Sequence, residues 1–126
     1  MPKLLSINVD VPDLIEGQRF YEKGLGLTYV GTPEEGICQL SMGEASLYLL
    51  EKQANSRFAQ GTATRDYSRH WTPVHIDIEV PNLQRAVDRA LEYGARLEGQ
   101  EADKMWGNIA TLSDPFGNGF CLVEAR

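Results

Sequence analysis

The chain has 126 residues, 42% hydrophobic and 24% charged, which suits one domain with a core that needs no disulfide or metal staple. Its 18 acidic residues outweigh 12 lysines and arginines, so the net charge is −6, the pI is about 4.8, and no basic footprint exists for nucleic acid. The longest apolar run, Leu47–Leu50, is far below the roughly 20 residues of a membrane span. Cys38 and Cys121 have no ligand-like spacing and no basic-plus-apolar leader precedes the first strand, so a cytoplasmic setting with reduced thiols is expected.

In chain order, "LLSINVDV" alternates as a strand, with Leu5, Ile7, Val9 and Val11 on one face and Leu4, Ser6, Asn8 and Asp10 on the other. Pro12 closes it, and Asp13 is a helix N-cap with Glu16 placed as in a capping box. Leu14, Ile15, Phe20, Tyr21 and Leu25 give the helix an apolar face, Gly17 weakens its middle, and Gly24 is the expected stop. Three strands follow, at 27–31, 37–42 and 45–51, separated by turn signals at "TPEEG" and "MGE". Residues 52–72 form a polar connection that can carry a short helix and rim a site.

The pattern then restarts. "VHIDIEV" sets Val74, Ile76, Ile78 and Val80 on one face and His75, Asp77 and Glu79 on the other. Asn82 caps a helix whose Leu83, Ala86, Val87, Ala90 and Leu91 share a face, and Gly94 ends it. Strands are expected at 95–99, 107–113 and 119–124, the last after the turn "DPFGNG". The phrases "INVDVPDL" (Ile7 to Leu14) and "IDIEVPNL" (Ile76 to Leu83) are thus the same place in two copies of a β-α-β-β-β module. The fold class is α+β, in a single domain with module one at 1–51, the linker at 52–72 and module two at 73–126.

Paired modules of this kind, with "VPDL" and "FYEKGLGL" at the first helix and "DPFGNGFCLVE" at the close, resemble the vicinal-oxygen-chelate superfamily of glyoxalase I, extradiol dioxygenases and bleomycin-resistance proteins. The resemblance spans nearly the whole chain. It implies mixed sheets curled into a half-barrel cup, generally in a homodimer, with the site inside the cup. It also implies a divalent metal held by a His on the first strand and a carboxylate or similar ligand on the last strand of each module. Matched by motif, those places are Ser6, Tyr48, His75 and Cys121, and only His75 fits the enzyme pattern.

A neutral hydroxyl or phenol is a poor ligand for a divalent ion, so no metal and no other cofactor is expected; a divalent ion through His75 is the alternative. Glu124 lies three residues after Cys121, which alternation sends to the opposite face, and His70 lies five residues before His75. Without a metal, the resemblance implies a ligand site of Ser6, Asn8, Tyr48, His75, Asp77 and Cys121, with Trp71 and Trp106 as aromatic rims. Asp10, Asp77 and Glu79 favour a cation, and the tryptophans a flat aromatic ligand. The leading reading is a metal-free small-molecule binding protein. A metal-dependent lyase, isomerase or dioxygenase with an atypical metal sphere is the second, and a non-catalytic partner module the third.

Overall fold

The computed structural model describes residues 1–126, which divide into two units, Met1–Tyr67 and Ser68–Arg126. In the first unit the order is β1 (Ile7–Val11), α1 (Leu14–Arg19), β2 (Thr28–Glu34), β3 (Ile37–Met42) and β4 (Ala45–Glu51). The second repeats it with β5 (Ile76–Glu79), α2 (Leu83–Glu92), β6 (Arg96–Lys104), β7 (Gly107–Ser113) and β8 (Gly119–Ala125). The sheets have matching orders, β1-β4-β3-β2 and β5-β8-β7-β6, in which only the first-to-last pairing of each module is parallel. Neither sheet closes on itself. The α+β class and the duplicated β-α-β-β-β module are therefore as the sequence predicts.

The helices start where the caps predict. The Asp13 carboxylate accepts from Glu16 N at 3.0 Å, and the Asn82 side chain accepts from Arg85 N at 3.0 Å. Each helix also receives a glutamate from the last strand of its own module. Leu14 N donates to Glu51 Oε2 at 2.8 Å, and Leu83 N donates to Glu124 Oε2 at 2.9 Å. Unpaired N–H groups at a helix start are satisfied, and a negative charge lies at the positive end of the dipole.

Several predicted boundaries move. β1 begins at Ile7, where its ladder with β4 opens at the Ile7–Leu47 pair, and not at Leu4 or Leu5; Leu4 and Leu5 are exposed and Ser6 precedes the strand. β5 begins at Ile76, where its ladder with Phe120 opens, so His75 stands just before it and Val74 is exposed rather than core. Upstream the chain bends at Pro73, which has no N–H for a ladder. α1 runs into a π-helical turn, Phe20–Gly24, marked by Leu25 N donating to Phe20 O at 3.1 Å. The turn carries the element past Gly24, the expected stop, and the left-handed residue is Gly26; Gly17, Phe20, Tyr21 and Gly24 are buried, and Ile15 is exposed.

β2 and β6 are longer than predicted, because each bends through a register shift and resumes pairing, at Glu34 with Ile37 and at Lys104 with Gly107. The connection after β4 forms turns and an Arg57–Thr64 bridge instead of a helix. Arg65 ties it down by an ion pair to Asp10 at 2.7 Å and a bond to Arg57 O at 2.7 Å. Each core lies between sheet and helix: Val11, Phe20, Tyr21, Leu40 and Leu49 in the first unit, and Ile78, Val87, Ala90, Leu112, Phe120 and Leu122 in the second.

Candidate functional site

The second sheet separates its faces cleanly. Phe120 and Leu122 on β8 turn toward α2 and are buried, so Cys121 between them turns the other way. Register then assembles a row across that other face, in which Asp77 pairs with Cys121, Cys121 with Thr111, and Thr111 with Gly99. His75, two residues before Asp77, arrives on the same face and places Nε2 at 3.3 Å from Asp77 Oδ1. Ligand atoms of His75, Asp77 and Cys121 all lie within 4.8 Å of one another.

Trp71 completes the group. Its ring lies 4.9 Å from the His75 ring at an interplanar angle of 37°, and it rests on Gly119, where an added Cβ would be 1.9 Å from Cε3. It keeps 45% of its surface exposed, so the ring is a partly open aromatic wall beside an imidazole and a carboxylate. The Arg69 guanidinium lies 5.5 Å from the Trp71 centroid and is held by Glu98 through two hydrogen bonds, one from Nε and one from Nη2 at 2.5 Å. This pairing raises the Arg69 pKa and lowers that of Glu98, in both cases chiefly through the hydrogen bond.

The Cys121 thiol is pushed up, first by burial and then by the Asp77 carboxylate, against a lowering by Thr111, whose hydroxyl is 3.8 Å from Sγ. A thiol held protonated is a weak nucleophile and a poor ligand until a metal or base removes its proton.

The structure thus brings Trp71, His75, Asp77 and Cys121 together. Trp106 is elsewhere: it precedes Gly107, which pairs with Ala125, whereas Trp71 covers Gly119, which pairs with Ser113. The length of β7, about 20 Å at its usual rise per residue, lies between those two ends. Ser6, Asn8 and Tyr48 belong to the first unit, where Asn8 pairs with Tyr48 and Tyr48 with Gln39, the same row as Asp77, Cys121 and Thr111 in the second. Asp10, expected to attract a cation, is taken by Arg65. His70 turns its Nδ1 to Ser68 O at 2.8 Å, and Glu124 serves Leu83 N and Asn108 Nδ2 on the opposite sheet face.

Sequence reasoning overlooked Thr111, Gly119 and the Arg69–Glu98 pair. Only Gly119 left a signal: the first copy has Ser46 in its place, so the second copy lacks a side chain where the first has one.

The chain belongs to the glyoxalase-like domain family, which matches it over residues 6–123, and with it to the vicinal-oxygen-chelate superfamily that the repeat resembles. It is 28% identical over 114 residues to the anthracycline biosynthesis protein DauV of Streptomyces sp. strain C5, covering 90% of this chain and 38% of DauV. The chain thus spans well under half of that relative.

Among solved structures, the fosfomycin resistance protein FosX of Listeria monocytogenes superposes with a TM-score of 0.74 at 13% identity, covering 100% of this chain and 95% of FosX. TnmS3, an antibiotic binding protein from Streptomyces sp. CB03234, gives 0.66 at 20% identity, covering 100% and 99%. A glyoxalase/bleomycin resistance protein/dioxygenase family enzyme of Burkholderia phytofirmans PsJN gives 0.71 at 16%, covering 96% and 97%. These likenesses are of fold.

Proposed function

We propose that this protein binds a small ring-bearing compound of the antibiotic kind on the Trp71–His75–Asp77–Cys121 face and does so without a metal. The observation that carries the reading is the half-open Trp71 ring tilted against His75 with the exposed Asp77 carboxylate next to it. An aromatic plane takes up a flat ligand by offset stacking, and the carboxylate favours a cationic or donor substituent. TnmS3 is an antibiotic binding protein, FosX a fosfomycin resistance protein and DauV an anthracycline biosynthesis protein, which supports this class. A homodimer and a cytoplasmic setting belong to the same reading, the second because both cysteines are free thiols. No helix is long and apolar enough to cross a membrane. Fluorescence titration with an anthracycline, bleomycin and fosfomycin, each with and without EDTA, tests the reading; saturable binding unaffected by EDTA is expected.

One observation favours metal chemistry instead. His75, Asp77 and Cys121 are donors of the kinds zinc takes, and they converge within 4.8 Å. Donors of a tetrahedral zinc stand roughly 3.3–3.8 Å apart, so the three could hold an ion after closing by about 1 Å. The ion would act as a Lewis acid on a substrate oxygen. The superfamily's four-residue arrangement does not fit, since Ser6 and Tyr48 supply only a hydroxyl and a phenol. Stoichiometric metal in protein purified without chelator would favour this second reading.

A further inference from the structure

Trp71 comes from the loop before β5, and loop side chains are ordinarily free to reorient. This one is seated on three sides. Beneath it is Gly119, whose added Cβ would meet Trp71 Cε3 at 1.9 Å and Cζ3 at 2.1 Å. The φ of Gly119 lies outside the left-handed region, so the strand backbone does not require glycine there. The indole requires it.

On a second side is the Arg69 guanidinium, 5.5 Å from the ring centroid, fixed by Glu98 and by a bond to Gly117 O at 3.3 Å. Glu98 itself stands at the register shift of β6 between Leu97 and Gly99, where the strand presents its side chain out of the regular alternation. On the third side is the His75 ring at 4.9 Å, with Asp77 against its Nε2.

We infer that Gly119 and the Arg69–Glu98 pair are positioning residues that hold Trp71 as a preset wall, so that the site selects a rigid planar ring system over a small ligand without a π face. The selectivity clause rests on the binding reading above; the seating clause does not. A wall that is already in place adds no ordering cost when a planar ligand stacks on it. A ligand lacking an aromatic plane gains little from the same wall.

The test uses the 126-residue chain with Trp106→Phe, which leaves Trp71 as its tryptophan. Gly119→Ala should change the near-UV circular dichroism of ligand-free Trp71 and weaken binding of an anthracycline about tenfold, the size expected for one lost aromatic contact. Combined with Trp71→Ala, the added methyl at 119 should cost nothing further, since the ring it displaces is gone. Arg69→Met should shift the same spectrum in the same direction, and it carries the test where Gly119→Ala does not fold. Fosfomycin should bind more weakly than the anthracycline and respond less to either change.

The seating is overturned if the spectrum is unmoved in Gly119→Ala and in Arg69→Met, or if the Gly119→Ala and Trp71→Ala losses simply add. The selectivity is overturned if fosfomycin binds the parent as tightly as the anthracycline. An anthracycline that fails to bind the parent overturns both the binding reading and the selectivity, while the ligand-free spectra still decide the seating.

Discussion

Glu51 and Glu124 do the same work in the two copies of the module: each stands at the end of its last strand and accepts the N–H of the first residue of its own helix, Leu14 at 2.8 Å and Leu83 at 2.9 Å. The contact joins the helix start to the strand that pairs in parallel with β1 or β5, and so closes the β-α-β crossover. Glu124 adds a second bond, from Asn108 Nδ2 at 3.1 Å, and is less exposed than Glu51.

Glu124→Ala should therefore cost more than Glu51→Ala. Losing a helix-start acceptor costs about 1 kcal/mol, and stranding the Asn108 amide adds roughly another 1 kcal/mol. Urea denaturation should show a lower midpoint with an unchanged slope for both variants, and the larger drop for Glu124→Ala.

Gly17 tests packing against propensity. Alanine gains about 1 kcal/mol over glycine inside a helix. Here its Cβ would stand 3.0 Å from Val11 Cγ2 and 3.3 Å from Leu49 Cδ1, both in the core. Overpacking a tight core costs about 1–3 kcal/mol, so Gly17→Ala should destabilise despite its better propensity. Measured thermal unfolding of Gly17→Ala with Val11→Ala should show less than the sum of the two single losses.

The helix and strand identities were legible because the duplication states each of them twice. Asp13 and Asn82 mark the caps, and strands 37–42, 45–51 and 107–113 keep their predicted limits. Edges were less legible, since alternation continues past the last ladder partner: Leu5 and Val74 keep the apolar pattern yet lie outside the strands. His75 and Cys121 were singled out through the family resemblance and Asp77 through alternation with His75, and the ligand atoms of the three lie within 4.8 Å of one another. Trp106 did not, because a single aromatic before a strand carries no sign of which end of the sheet the ligand face occupies. The seat under Trp71 depends on a contact between residues 71 and 119, which periodicity does not encode.

The Cys121 thiol should resist alkylation at neutral pH, since burial raises its pKa. A raised thiol pKa favours the folded state while the thiol is protonated. That contribution is complete below the ordinary thiol value of about 8.5 and is lost as pH rises through the higher folded value. Iodoacetamide labelling followed by mass spectrometry should show Cys121 and the similarly raised Cys38 modified slowly at pH 7 and faster in alkali. Thr111→Val, which removes the group that lowers the pKa, should slow Cys121 labelling further.

The Arg69–Glu98 pair gives an acid-side signature. Glu98 is held below the usual carboxyl range by its bond to Arg69, so its contribution is present above an ordinary glutamate pKa of about 4.3 and fades as pH falls through the lower folded value. A component of the Trp71 near-UV signal should change as pH falls below about 5. In Arg69→Met this acid-dependent component should be absent.

The most direct test of the binding account is an equilibrium titration of the Trp106→Phe protein with an anthracycline in EDTA, read by Trp71 fluorescence. Saturable quenching is expected, together with an affinity that falls at least about tenfold in Trp71→Ala when binding is followed by calorimetry. Binding that appears only after a divalent metal is added, or an affinity indifferent to Trp71→Ala, would contradict the binding account.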